Sequence, residues 1–193
     1  MNRRPRLPRW LYAGGSRRDR LRDPDVVASA LRVKPGDIVG DLGPAYGHFT
    51  VLLARAVAPD GVVYAIDADQ STLDDLRVAA DERNPTTLRT VLVPRDRLEI
   101  PEPVDLLFVS ATYHHLRDPA RYFSAARVFV RPGGRVAILE SRREGLLAQW
   151  MGTHGGPSGR VRAVMAEAGF LLTATHELVP GHWFGQFQVR PQP

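Results

Sequence analysis

The chain has 193 residues, enough for one domain with a sizeable core, and its 44% hydrophobic and 24% charged content is ordinary for a globular protein. It has no cysteine, which excludes disulfides, thiolate metal sites and a thiol nucleophile. No apolar run is long enough to span a bilayer or form a signal-peptide core, so no membrane association is expected and the expected location is the cytoplasm.

The net charge is +5 and the isoelectric point about 10.2, but the charge is unevenly placed. Residues 1–22 hold eight arginines against one acid, Asp19, while the rest of the chain holds 18 basic and 20 acidic residues. The basicity is therefore read as a flexible tail over 1–20, followed by one domain over 21–193. Such a tail can grip RNA by its phosphates.

After the tail, a helix is expected over 22–31, with Asp23 as cap and Pro24 at its first position. Lys34-Pro35-Gly36-Asp37 turns into a first strand, Ile38-Val39-Gly40-Asp41, which ends in an acid. A Gly-bearing turn follows, Leu42-Gly43-Pro44-Ala45-Tyr46-Gly47, and then a helix over 49–56. The second strand, 61–67, also ends in an acid, Asp67. Ser71 is a candidate cap for a helix over 72–82, with Asp69 the favoured one. A third strand covers 88–93. The fourth, 105–110, is apolar throughout and so buried on both faces.

Helical spacing then covers 119–130, and Arg131-Pro132-Gly133-Gly134 is a sharp turn into a fifth strand over 135–140. Residues 141–157, with Trp150 and His154, read as a loop that can close over a substrate. Ser158 is placed as the cap of a helix over 159–168 that Gly169 ends. Two more strands, 170–177 and 183–189, are joined too tightly for a parallel crossover and should be antiparallel. The alternation predicts an α/β protein with a doubly wound, mostly parallel, seven-stranded sheet whose last strand is antiparallel.

Two parallel strands that deliver a carboxylate to one sheet edge make a nucleoside site. The turn after the first admits a ligand to the backbone, and the acid after the second can accept ribose hydroxyls. Asp67 lies twenty residues after Gly47, the spacing expected for that role. The loop lacks the Gly-x-Gly-x-x-Gly spacing of a pyrophosphate site, which counts against a dinucleotide-dependent oxidoreductase.

The order of elements resembles class I S-adenosylmethionine (SAM) dependent methyltransferases, in particular the small bacterial type 11 methyltransferase domains. The residues that carry the resemblance are Asp41-Leu42-Gly43-Pro44-Ala45-Tyr46-Gly47, Ala65-Ile66-Asp67, Asp96, Asp105 to Ser110, Tyr113-His114-His115-Leu116-Arg117-Asp118-Pro119 and Arg131-Pro132-Gly133-Gly134. It implies SAM as cofactor, a Rossmann-like fold and methyl transfer. It implies that Gly43 and Gly47 wrap the methionine part, and that Asp41 meets the ammonium group or fixes the loop. Asp67 would bind the ribose, with Ala68 on the adenine face. Asp96 and the Arg97 backbone would lie near the adenine amino group, and Ser110 where the methyl points. Ala45 stands where the family has a glycine. If that position needs a positive φ, strain of roughly 1–2 kcal/mol would weaken SAM binding about tenfold.

Tyr113, His114 and His115 follow the fourth strand and are the candidate catalytic residues, since a histidine there can take a proton from the acceptor. No metal site is expected. No Asn/Asp-Pro-Pro-Tyr motif follows the fourth strand, which counts against methylating the exocyclic amines of DNA bases. The expected function is methyl transfer to an oxygen or carbon of a small-molecule acceptor. The alternatives are an RNA methyltransferase that uses the arginine tail, and a non-catalytic SAM-binding protein on account of Ala45.

Overall fold

Strand formation follows the apolar runs. A computed structural model describes residues 24–81, 87–141, 156–178 and 181–191. The tail over 1–20, Asp23, Trp150 and His154 lie outside them. In chain order the elements are α1 (Pro24–Leu31), β1 (Ile38–Leu42), α2 (His48–Ala56), β2 (Val62–Asp67), α3 (Gln70–Asp81), β3 (Leu88–Leu92) and β4 (Val104–Ser110). Then come α4 (Pro119–Ala126), β5 (Val130–Ser141), α5 (Gly156–Glu167), β6 (Phe170–His176) and β7 (His182–Val189), with short 3-10 turns at Tyr113–His115 and Arg127–Phe129. None of the helices among the described residues is long and apolar enough to cross a membrane.

The seven strands form one sheet in the order β3-β2-β1-β4-β5-β7-β6. All pairs from β3 to β5 are parallel, while β7 runs antiparallel to both neighbours. The fold is thus the expected doubly wound α/β sheet. β7 inserts between β5 and β6, because a short hairpin can only return antiparallel.

Alternation along the strands sends side chains to two cores. Val39, Leu106, Phe108, Ala137 and Leu139 pack under α1 and α2 with Leu31, Phe49 and Leu53. Leu107, Val109, Val136 and Ile138 pack on the other face with Tyr122, Phe123, Val161 and Met165 of α4 and α5. Each fully buried large side chain contributes roughly 1.5–3 kcal/mol.

Two helices start earlier than the sequence reading placed them, although the favoured Asp69 cap is as expected. α3 begins at Gln70, so Ser71 lies inside it, and Asp69 takes the cap position with its carboxylate accepting the Ser71 N–H at 2.9 Å. Ser158 likewise lies inside α5, which begins at Gly156. The helix expected over 119–130 ends at Ala126, because the backbone tightens to 3-10 and Val130 already pairs with Val104. The Arg131-to-Gly134 turn is therefore an excursion within β5: the next pair is Leu106 with Arg135.

Candidate active site at the C-terminal edge of the sheet

Parallel pairing aligns the strand ends that matter. Leu42 lies beside Ile66 on one side and Val109 on the other, so Asp67, Gly43 and Ser110 come one residue later in a single row. Ser110 in turn pairs with Leu139, which sets Glu140 just beyond. This row is the C-terminal edge of the parallel strands, where ligands bind in such sheets.

Asp41 is 2% exposed and accepts a 2.6 Å hydrogen bond from the Thr50 hydroxyl at the start of α2. Burial pushes its carboxyl up to about 6; the Thr50 bond opposes this, and the nearby Asp67 charge adds to it. Among the described residues no cationic side chain pairs with it. An unpaired buried carboxylate is costly, and an ammonium group brought by a ligand would relieve it.

Between the two acids runs the loop Gly43 to Gly47. Gly43 donates to the Ile66 carbonyl at 2.8 Å and has φ +73°; a Cβ there would overlap the Thr112 side chain. Gly47 has φ +74° and lies so close to Leu76 of α3 that a Cβ would sit 2.1 Å from its Cδ1. Each glycine thus has an intrachain reason beyond any ligand. Ala45 is exposed with φ +48°, so the condition for strain stated for this position is met.

Asp67 is half-buried and its Oδ1 accepts the Asp69 N–H at 2.9 Å. Ala68 is half-buried beside it, while Asp96 and Arg97 are exposed in the turn after β3. The Arg97 side chain pairs with Glu99.

Beyond β4, Ala111 also takes a positive φ of 52°. Thr112 then donates its hydroxyl to the Ser110 carbonyl at 3.1 Å and lies against Gly43, tying the two loops together. In the 3-10 turn that follows, Tyr113 is buried and stacks on Phe123 with ring centroids 6.0 Å apart. Burial pushes its hydroxyl up to about 12; Arg160 opposes this and Glu140 adds to it. His114 is 53% exposed, and its Nδ1 lies 3.0 Å from Oε1 of Glu140, which is 8% exposed. The His115 ring lies 4.0 Å from that of His114. Thr112 and Glu140 were not singled out from the sequence. Each meets its partner across strands, and no local pattern marks it.

These residues fit SAM: Asp41 would hold the ammonium group, Asp67 the ribose hydroxyls and the Gly43–Gly47 loop the chain between them. When bound, SAM supplies an activated methyl group. Among the described residues no group of three or more His, Asp or Glu side chains gathers to hold a metal ion.

Comparison with known proteins bears on the family and the fold. Residues 40–138, just over half of the chain, match the family model described as a methyltransferase domain. An uncharacterized 37.1 kDa protein in transposon TN4556 of Streptomyces fradiae is 31% identical over 116 residues. That match covers 60% of this chain and only 33% of the relative's length. A SAM-dependent methyltransferase from Aquifex aeolicus superposes with a TM-score of 0.76 at 20% identity, covering 94% of this chain and 98% of that one. Aeropyrum pernix fibrillarin, solved with natively bound SAM, superposes with a TM-score of 0.63 at 20% identity, covering 85% and 74%. The chain belongs to the methyltransferase-domain family and shares the fold of SAM-dependent methyltransferases.

Proposed function

We propose that the chain methylates an oxygen or carbon of a small-molecule acceptor. The observation that carries this reading is the Tyr113-His114-His115 turn. It follows directly from the strand end that completes the cofactor edge, with the His114 ring more than half exposed and held by Glu140. Methyl transfer is an in-line displacement in which positioning supplies much of the acceleration, and a base matters where the acceptor keeps its proton at neutral pH. The roles proposed for the cofactor-binding residues are those above: Asp41 toward the ammonium, Asp67 toward the ribose, Ala68 and Asp96 with Arg97 toward the adenine, and Ser110 toward the methyl.

RNA is the competing acceptor, through the arginines of residues 1–22. Transfer of radiolabelled methyl from SAM to a panel of small hydroxyl and carbon acids, and in parallel to total RNA, separates the two. Deleting residues 1–18 is expected to leave small-molecule turnover within about twofold of the full chain. Turnover on RNA alone, lost with that deletion and with a shallower salt dependence of RNA binding, would replace this reading.

A further inference from the structure

We propose that Glu140 is the positioning residue of a His114 general base, and that the acceptor is accordingly a hydroxyl compound methylated on oxygen. This rests on the small-molecule reading above and narrows it.

Glu140 stands where alternation along β5 calls for an apolar side chain. Val136 and Ile138, on the same face, are fully buried in the core beneath α4 and α5. A carboxylate at such a position is costly unless it is partnered. Its Oε1 meets the Nδ1 of His114 at 3.0 Å. A carboxylate on Nδ1 keeps the proton there, so the lone pair sits on Nε2. Backbone bonds from His115 to the Thr112 carbonyl and from Leu116 to the Tyr113 carbonyl fix the turn that carries the ring. The ring is thus held at one nitrogen by a buried acid, on a turn that leaves it largely open to solvent.

Two further groups lie in the same part of the fold. Trp183 is directly opposite Glu140 in the β5–β7 register. Its indole N–H and the Tyr113 hydroxyl are both buried, and neither has a hydrogen-bond partner among the described residues. A buried donor left unpaired costs about 1–3 kcal/mol, so the surroundings of Glu140 are short of hydrogen-bond acceptors.

The need for a base selects the acceptor. A neutral amine offers its lone pair without losing a proton first, and a carboxylate has none to lose. A carbon acid without flanking carbonyls demands a stronger base than imidazole. A phenol, enol or alcohol holds a proton at neutral pH that must leave as the new bond forms. In the step, the acceptor O–H bond breaks and its proton passes to Nε2 of His114. An oxygen electron pair forms the O–CH3 bond, while the methyl–sulfur bond breaks and sulfur keeps its pair, turning a sulfonium into a thioether. Glu140 balances the imidazolium until water takes the proton.

The test begins with 15N-histidine NMR of the full chain, with the His114 signal assigned from His114→Gln. The neutral wild-type ring is expected to be protonated at Nδ1, and Glu140→Gln is expected to lose that tautomer. Calorimetric affinity for S-adenosylhomocysteine should change less than twofold. With SAM and a panel of simple phenols and alcohols, Glu140→Gln should lower kcat about a hundredfold or more with the KM for SAM little changed, and Glu140→Asp should recover part of the loss. An Nε2-protonated wild-type ring, a tautomer indifferent to Glu140→Gln, or a kcat within threefold of wild type would overturn the assignment. So would a wild-type protein that binds S-adenosylhomocysteine yet methylates no member of the panel. The tautomer is read without cofactor or acceptor, so a failed cofactor titration counts against the underlying reading alone.

Discussion

Asp41 occupies a strand position whose neighbours Val39 and Phe108 are fully buried and apolar. Its carboxyl, near 6 in the folded chain against 3.8 for an unburied aspartate, ionises reluctantly. Below about pH 4 it is protonated in both folded and unfolded chains and costs nothing. As pH rises from 4 through 6 the unfolded chain releases its proton first, so stability falls; above 6 the full cost of about 3 kcal/mol is present. Asp41→Asn removes the charge and keeps an oxygen for Thr50, at the expense of one buried N–H. It is expected to be more stable than wild type by about 1–3 kcal/mol at pH 7.5 and to lose that advantage at pH 4.5, by urea denaturation. Cofactor affinity should fall at the same time, since an amide offers an ammonium no charge. A variant less stable than wild type at both pH values would show that the carboxylate is not a burden. Ala45 and Ala111 bracket the same edge with φ of 48° and 52°, and such strain gathers at sites where function fixes the backbone.

At the scale of elements, the glycine loop is held by what packs on it. Leu76 of α3 is 1% exposed and fills the space that a Gly47 Cβ would need. Gly47→Ala forces Leu76 into packed neighbours and places alanine at φ +74°, a combined cost of roughly 2–4 kcal/mol. Leu76→Ala alone should cost about 2–5 kcal/mol through its cavity. The double variant is expected to be about 1–2 kcal/mol better than the sum of the two, because the overlap is gone while the backbone strain stays. Strict additivity in chemical denaturation would mean that the glycine is needed only for its conformation. The same scale explains the start of α3. Asp69 and Ser71 both suit a cap by residue type, and only the path of the chain leaving β2 makes Asp69 the one that receives the Ser71 N–H.

At the scale of the whole molecule, the proposed cofactor edge draws on β1, β2 and β4, so a ligand there would brace the centre of the sheet. S-adenosylhomocysteine at a hundred times its dissociation constant should add about 2.7 kcal/mol. For a chain of this length that raises the unfolding midpoint by roughly 5–10 °C. Asp67→Ala should abolish the shift in a thermal melt while leaving the ligand-free midpoint within a few degrees, since Asp67 is half-buried at a strand end. An undiminished shift in that variant would remove Asp67 from the site.

The fold was legible because its signals are local. Apolar runs of strand length separated by helical spacing report a doubly wound sheet, while the strand expected to end at Asp41 runs on to Leu42. The tight turn between the last two strands reports their antiparallel pairing. The sequence alone therefore determined the fold class and the place of the histidine turn after the fourth strand. The tertiary structure decided the rest. Glu140 and His114 are 26 residues apart, and Thr112 and Gly43 are 69 apart. Each pair meets only because parallel register places their strand ends side by side. The raised carboxyl of Asp41 likewise depends on which neighbours exclude water from it. Sequence spacing encodes what a residue does within its own element, whereas burial and cross-strand contact arise only when the sheet is assembled.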